Sequence, residues 1–340
     1  MPHPLNSFPP DSGANAHNSP RTGENKAFVP GSGKNVAGRK GPALLEADGL
    51  TITYPGAVTA LDGLDLEVPD SGITCLLGAN GAGKTTLLES AAGLIQATSG
   101  SLRVLGTDPG STNNRLQVGV MLQDGGMPGS ARPREFLDYV SRLYPKPRDV
   151  RSLLDAVEID PDTRAPMRRL SGGQQRRISW AAAMVGNPRS LLLDEPTASI
   201  DPVGRERLYD VLRTERERGV SMIIATHLIE DVESLADYIV VVRNGRVALT
   251  GTPEELRPRN TLVVRSAREM DTGALLAALP AGSTCQRTAS DSYHVEVPTG
   301  IDPAVMATVS SWCGQHSVPP DLSVGDLRTA LWSALRGGVQ

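Results

Sequence analysis

Residues 73–86 read ITCLLGANGAGKTT, and this stretch decides the fold. The apolar run at 73–77 has the length and composition of a buried strand, and the glycine-rich segment after it leads into a helix. The core of the segment fits the pattern G-x-x-x-x-G-K-[ST]. Glycines let the backbone curl so that consecutive N–H groups point inward, and the helix adds the positive end of its dipole. The pattern therefore predicts a loop that binds phosphate.

Two side chains of this loop predict the kind of phosphate. Lys84 is expected to reach the outer phosphates of a nucleoside triphosphate, and the Thr85 hydroxyl to hold a bridging Mg²⁺. Outside the first 40 residues, Lys146 is the only other lysine in an arginine-rich chain, so Lys84 indicates a need for a compact ammonium. A glycine-rich turn that binds nothing is the alternative. The predicted nucleotide contacts are Gly78, Asn80, Gly81, Ala82, Gly83, Lys84, Thr85 and Thr86.

Length and composition exclude several classes of protein. At 340 residues and 36.0 kDa, the chain has room for one large α/β domain and an appendage. A net charge of -4 and a pI near 5.8 give no basic field that would indicate nucleic acid as a specific partner. Cys75, Cys285 and Cys313 form no C-x-x-C pair, which favours reduced thiols in a cytoplasmic protein. Because no apolar run approaches about 20 residues, we expect a soluble chain.

The composition changes along the chain and suggests three parts. Residues 1–43 are rich in Pro, Gly, Asn and Ser, which predicts a disordered tail. The tail carries a local charge of +3 (five basic minus two acidic residues), so it could either be a plain solvated extension or contact an anionic membrane. Residues 44–255 contain the strand and helix patterns of one α/β domain. Residues 256–340 predict a small α+β appendage without a catalytic constellation, ending in a helix with Leu327, Leu331 and Leu335.

Within residues 44–255, two kinds of strand are expected. Residues 51–54, 64–68 and 73–77 alternate with turn residues and predict a small antiparallel sheet that leads into the phosphate loop. The runs at 118–122, 191–193 and 222–225 are strongly apolar, as in buried parallel sheets.

Polar residues follow the carboxyl ends of the apolar runs. Gln123 follows the first run, Asp194 and Glu195 the second, and His227 the third. Ligands bind at this edge of open α/β sheets, so these side chains are expected beside the phosphate loop. Asp194 suits Mg²⁺ and Glu195 suits the polarisation of water, although an acidic cap on the next helix is the alternative.

A second anion site is predicted at 170–177, which read LSGGQQRR before an Ala-rich helix. Ser171 is expected to cap this helix, and Gly172 and Gly173 leave its N-terminal amides bare. Two phosphate-binding helix ends in one chain could serve the same nucleotide if two copies of the domain face each other.

These segments, in this order and approximate spacing, resemble the ATP-binding subunits of ABC transporters over about residues 44–255. The resemblance implies an α/β fold with a P-loop NTPase parallel sheet core, an antiparallel β-subdomain and a helical subdomain. It also implies that Tyr54 stacks on adenine, and that Gln123 contacts Mg²⁺ and the attacking water while reporting to a membrane partner.

The resemblance assigns the remaining site residues as well. Ser171, Gly172, Gly173 and Gln174 would form the signature segment that contacts the γ-phosphate held by the opposite subunit. Glu195 would be the general base, His227 would hold the γ-phosphate, and Asp201 would link the two subunits. No position departs from the family pattern, so an active ATPase that uses ATP and Mg²⁺ is expected.

Partners and cargo direction also follow from the resemblance. The chain would dimerise with itself or with a related ATPase and would lie on the inner face of the cell membrane through a separate integral membrane permease. The segment at 120–145 and the C-terminal appendage resemble subunits that drive drug, antibiotic or polysaccharide exporters. An importer ATPase, or a soluble ABC protein that acts on ribosomes or DNA, is the alternative.

Overall fold

The computed structural model describes residues 43–123, 126–258, 260–266, 269–289, 292–316 and 321–336. Of the tail predicted at 1–43, all but Ala43 lies outside the described residues. The strands are β1 (Ala43–Tyr54), β2 (Val58–Pro69), β3 (Ile73–Leu77), β4 (Ser99–Val104), β5 (Val118–Met121), β6 (Ser190–Asp194), β7 (Ser221–Thr226), β8 (Tyr238–Arg243), β9 (Arg246–Gly251), β10 (Thr261–Arg265), β11 (Thr284–Ala289), β12 (Ser292–Glu296) and β13 (Asp321–Val324). The helices are α1 (Lys84–Ala91), α2 (Thr112–Gln117), α3 (Pro133–Ser141), α4 (Val150–Ala156), α5 (Gly172–Met184), α6 (Pro202–Glu217), α7 (Ile229–Leu235), α8 (Pro253–Leu256), α9 (Thr272–Ala277), α10 (Pro303–Gln315) and α11 (Leu327–Arg336).

A six-stranded sheet with the order β5-β6-β7-β3-β8-β9 forms the centre of residues 44–255, the part predicted to bind ATP. Neighbouring strands from β5 to β8 run parallel, and β9 is joined antiparallel to β8 by a hairpin at Asn244–Gly245. All residues of β3, β6 and β7 are buried. The parallel core predicted from the apolar runs is confirmed.

The placement of Ile73–Leu77 in the antiparallel sheet was wrong. This strand, β3, pairs in parallel with β7 on one side and β8 on the other. All five of its residues are buried, so both of its faces are covered, as the centre of a parallel sheet requires. The run is apolar at every position but Thr74, and this continuity distinguishes it from the alternating pattern of β2.

The antiparallel sheet has the order β2-β1-β4. β1 and β2 cover the predicted strands at 51–54 and 64–68, whereas β4 was not predicted because its sequence SGSLRV is mostly exposed and lacks an apolar run. Helices α3, α4 and α5 form a helical layer whose apolar residues join those of the parallel sheet in one core. Among the described helices, none is long and apolar enough to cross a bilayer.

The C-terminal part folds as β10-α9-β11-β12-α10-β13, and its antiparallel sheet has the order β11-β12-β10-β13. This is the split βαβ arrangement, with α9 and α10 packed in its own core. The final helix, α11, does not pack in this core. Its Leu327 and Leu331 are buried with the residues of the parallel sheet, so the helix packs on the part predicted to bind ATP.

Candidate functional site

The loop between β3 and α1 has the curled backbone that its glycines predict. Gly81 and Gly83 have φ angles of 79° and 106°, values that favour glycine. A Cβ on Gly83 would lie 2.7 Å from the carbonyl oxygen of Ala60. The Lys84 Nζ donates hydrogen bonds to the carbonyl oxygens of Gly78 (2.7 Å) and Ala79 (3.1 Å), so the ammonium stays folded against the loop.

Helix α1 starts at Lys84 with its amides open to an anion. The N-cap residue, Gly83, provides no side-chain cap, and the first turn carries no acidic residue. The helix dipole and the free N–H groups therefore remain available to a ligand. Ala82 and Thr86 are buried in this part of the loop, while Asn80 and Gly81 are exposed.

The structure brings Lys84, Glu195 and His227 together, as the sequence predicts. The Lys84 Nζ lies 3.8 Å from a carboxylate oxygen of Glu195, and His227 Nδ1 lies 2.9 Å from each Glu195 oxygen. Burial lowers the pKa of Lys84, an effect that the nearby carboxylates of Glu195 and Asp194 oppose. Glu195 has a positive φ of 49°, which turns the chain at the carboxyl end of β6.

Asp194 has the character of a metal ligand. It is fully buried at the end of β6, and neither of its carboxylate oxygens accepts a well-formed direct hydrogen bond. Burial raises its pKa, while the Thr85 hydroxyl nearby acts in the opposite direction. A buried carboxylate whose oxygens have spare capacity beside a hydroxyl matches the oxygen ligands that Mg²⁺ prefers. These residues fit Mg²⁺.

Tyr54 and Gln123 lie at the rim of the site. The Tyr54 hydroxyl is hydrogen-bonded to Thr86 Oγ1 at 3.2 Å and to Glu89 at 3.3 Å, which places the ring beside helix α1. Gln123 is exposed just after β5, and its carbonyl oxygen accepts a hydrogen bond from Arg176 at 3.2 Å.

The signature segment forms the predicted capped helix start. Ser171 Oγ accepts a hydrogen bond from the Gln174 amide at 3.2 Å, and the Gln174 side chain accepts one from the Ser171 amide at 2.9 Å. Ser171 and Gly172 are exposed, while Gly173 and Gln174 are half-buried. Within the described residues, no hydrogen bond or ion pair joins this segment to loop 78–86. The chain therefore does not bring its two anion sites together by such contacts.

Asp201 has a local structural task. It is the N-cap of α6, where its carboxylate accepts a hydrogen bond from the Gly204 amide at 3.0 Å. This backbone hydrogen bond lowers the pKa of the exposed carboxylate. The acidic cap that was the alternative for Asp194 and Glu195 is provided by Asp201.

Sequence reasoning missed two residues that organise this edge. Arg176 on α5 donates hydrogen bonds to the carbonyl oxygens of Gln123, Asp194 and Glu195. It thus ties the signature helix to the ends of β5 and β6. A guanidinium with several fixed donors suits this task, but nothing in an arginine-rich chain marks this arginine.

Asp231 on α7 is the second residue that organises this edge. Its fully buried carboxylate accepts hydrogen bonds from Thr197 at 2.8 Å, Tyr209 at 2.6 Å and Thr226 at 2.5 Å. Thr197 lies two residues after Glu195, and Thr226 precedes His227. Asp231 therefore joins the two segments that carry Glu195 and His227.

Comparisons with known proteins agree with this geometry. Residues 61–198 match the family model described as "ABC transporter". The chain is 35% identical over 248 residues to the daunorubicin resistance ATP-binding protein DrrA3 of Streptomyces coeruleorubidus, with 69% of this chain and 78% of the relative covered. The chain belongs to the ABC transporter family.

Other relatives in the ABC family are importers by name. The cobalt import ATP-binding protein CbiO of Rhodobacter capsulatus is 37% identical over 220 residues, covering 61% of this chain and 78% of the relative. The solved structure of cbiO1 from Clostridium perfringens, part of an ABC transporter complex, superposes with a TM-score of 0.54 at 29% identity, covering 63% of this chain and 90% of that one. The fold is that of an ABC ATPase cassette, and the chain is an ATPase that uses ATP and Mg²⁺.

Proposed function

We propose that this ABC ATPase forms a head-to-tail dimer around two Mg-ATP and powers export through a separate transmembrane subunit. The observation that carries the proposal is the division of the site. Lys84, Glu195 and His227 form one contiguous group, whereas the start of α5, with Ser171 exposed and Gly173 half-buried, makes no hydrogen bond or ion pair with loop 78–86 within the described residues. A second copy, or a related ATPase subunit, would complete each site.

Each half-site by itself lacks part of what phosphoryl transfer to water needs. This reaction depends on positioning and on neutralising the charge that spreads over the γ-phosphate oxygens. The ammonium of Lys84 supplies positive charge from one subunit, and the amides and dipole of α5 supply it from the other. Hydrolysis should therefore require the dimer, and ATP acts as a clamp that closes it.

Glu195 is the proposed general base. Its carboxylate would take a proton from the attacking water, and His227, 2.9 Å away, would orient that carboxylate and contact the γ-phosphate. Tyr54 would stack on the adenine ring, with Asp201 near the dimer interface. Thr85, Gln123 and Asp194 would hold Mg²⁺, which neutralises phosphate charge when bound.

The described surface offers a place for the membrane partner. An open groove of about 640 Å³ lies between the end of β5 and helices α3 and α5, close to Gln123. Its lining includes Leu94, Phe136 and Tyr144, and Leu94 is 64% exposed. A separate permease that inserts an apolar segment here would contact the neighbourhood of Gln123, and the chain would then lie on the cytoplasmic face of the membrane.

Export is the proposed direction. The resemblance at 120–145 and in the C-terminal part supports it, as does the similarity to a drug resistance protein. Import is the second candidate, because a cobalt importer ATPase aligns at similar identity. The permease found with the chain would distinguish the two.

The test is a pull-down of tagged Glu195→Gln from its native host, in mild detergent and with Mg-ATP. The variant should bind ATP, hydrolyse it very slowly and stay closed as a dimer with a stoichiometric polytopic membrane protein. Glu206→Gln, an exposed carboxylate on α6, is the matched control and should hydrolyse ATP normally. Ser171→Arg should keep ATP binding by the monomer but block dimer closure.

Four results would count against the proposal. Unchanged turnover in Glu195→Gln removes Glu195 as the base. An ATP-dependent dimer of Ser171→Arg removes the two-sided site. Recovery of ribosomes or nucleic acid without a membrane protein moves the function to a soluble ABC ATPase, and dependence on a solute-binding protein moves it to import.

A further inference from the structure

Helix α11 belongs to two parts of the molecule at once. It follows β13 after only Gly325 and Asp326, and the Gly325 amide donates a hydrogen bond to the Thr261 carbonyl oxygen in β10, at 2.6 Å. Its own Leu327 and Leu331 are buried in the core of the parallel sheet. Because only two residues connect β13 to α11, the C-terminal sheet cannot shift against the ATP-binding part without moving this helix.

The polar side of α11 forms ion pairs with α7. Arg328 donates hydrogen bonds from Nε and Nη2 to the two carboxylate oxygens of Glu233, at 3.1 and 2.6 Å, and its Nη2 lies 3.2 Å from Glu230. A forked guanidinium held by two carboxylates has a defined direction as well as a charge. The hydrogen bonds that Arg328 donates to Glu233 are the main reason that the pKa of Arg328 is raised. On β8, Arg243 donates a hydrogen bond to the carbonyl oxygen of Ala334 in α11, at 3.1 Å.

The opposite side of α7 contacts the catalytic edge, which is the edge of the parallel sheet that carries Glu195 and His227. Helix α7 begins at Ile229, two residues after His227, and carries the buried Asp231. Through Asp231, the helix is hydrogen-bonded to Thr226 and Thr197, which flank His227 and Glu195 in sequence. Arg328 and the catalytic pair therefore lie on two sides of one short helix.

We propose that α11 links the C-terminal sheet to the catalytic edge and that Arg328, acting through α7, is a positioning residue for His227. The inference rests on the role proposed for His227. The contact of His227 with Glu195 is set by where α7 begins, and α11 restrains the outer face of that helix. A ligand or partner that displaces the C-terminal sheet would then lower ATP turnover without touching the nucleotide.

The test uses the full-length chain with Mg-ATP and the variant Arg328→Glu. This variant places a third carboxylate beside those of Glu230 and Glu233, so attraction becomes repulsion. We expect kcat to fall about three- to tenfold, with KM for ATP within about twofold. The double variant Glu233→Arg/Arg328→Glu restores the ion pair with reversed charges and should recover kcat to within about twofold. Arg151→Glu, on α4, is the matched control, since it breaks an exposed ion pair between Arg151 and Asp162.

Two further readouts separate positioning from simple stability. Imidazole ¹⁵N signals of His227, assigned with His227→Gln, should move in Arg328→Glu and stay in place in Arg151→Glu. Amide hydrogen exchange should increase in residues 229–235 and remain unchanged in β1 and β2. Identical kcat and identical His227 signals in Arg328→Glu and the control would overturn the inference.

Failure of this inference can be told from failure of the proposed function. If His227→Gln keeps full turnover, the role of His227 falls and the coupling falls with it. If His227→Gln is inactive while Arg328→Glu behaves like Arg151→Glu, the proposed catalytic role stands and only the coupling is refuted.

Discussion

The carboxylate of Asp231 should contribute strongly to stability. It is fully buried and accepts hydrogen bonds from three buried hydroxyls, at 2.5, 2.6 and 2.8 Å. A hydrogen bond to a charged group contributes about 1.5 kcal/mol net, so three would contribute about 4.5 kcal/mol. Removing a buried charge also removes its desolvation cost, which offsets part of this sum. We therefore expect Asp231→Ala to lower the free energy of unfolding by about 3 kcal/mol.

Thermal unfolding of the full chain without nucleotide, followed by circular dichroism, measures this change. At roughly 2–4 °C per kcal/mol, the midpoint should fall by roughly 6–12 °C. Tyr209→Phe removes only one of the three donors and should cost about 1 kcal/mol. The exposed Glu206→Gln should stay within about 0.5 kcal/mol of the unmodified chain. If the unfolding midpoint of Asp231→Ala is no lower than that of Tyr209→Phe, the three hydrogen bonds to Asp231 do not contribute to stability as argued.

Three other substitutions test the site and the core. Lys84→Ala should weaken ATP binding by roughly 100-fold, because a charge-assisted contact with phosphate contributes about 3 kcal/mol; near-normal affinity by calorimetry would contradict its role. Gly83→Ala places a Cβ 2.7 Å from a carbonyl oxygen of β2 and should lower both the melting midpoint and ATP affinity, whereas Gly106→Ala, with φ of 73° but open space around it, shows the effect of the dihedral alone. Glu215→Gln weakens the buried pair with Arg148, which is bonded at 2.5 and 2.7 Å, and should cost roughly 3 kcal/mol in urea unfolding; an unchanged midpoint would show that the pair adds nothing.

Local chemistry explains why much of the site could be predicted. The phosphate loop depends on glycine backbone angles and a following helix start, which adjacent residues determine. The hairpin at Asn244–Gly245 shows the same: both residues have positive φ, 51° and 72°, as the Asn-Gly signal predicts. The cap of α5 by Ser171 and Gln174 is also encoded within four residues.

Long-range pairing explains the misses. Strands β4, β11 and β13 carry few apolar residues in alternation, so their own residues do not mark them as strands. β4 and β13 pair with β1 and β10, which lie well before them in the sequence, whereas β11 pairs with the adjacent β12. Ile73–Leu77 was assigned to the wrong sheet because its place depends on β7 and β8, which lie about 150 residues later. Arg176 and Asp231 carry no local signal, since their meaning comes from the carbonyl oxygens and hydroxyls that the fold places around them.

The sequence by itself determined the chemistry at the edge of the sheet: a phosphate loop, a bare helix end, and carboxylates and a histidine that follow apolar strands. Each depends on the conformations that neighbouring residues permit. Only the tertiary structure decided which of these groups meet. Glu195 contacts His227 because β6 and β7 are parallel neighbours, and α11 packs on the ATP-binding part because burying Leu327 and Leu331 there removes apolar surface from water.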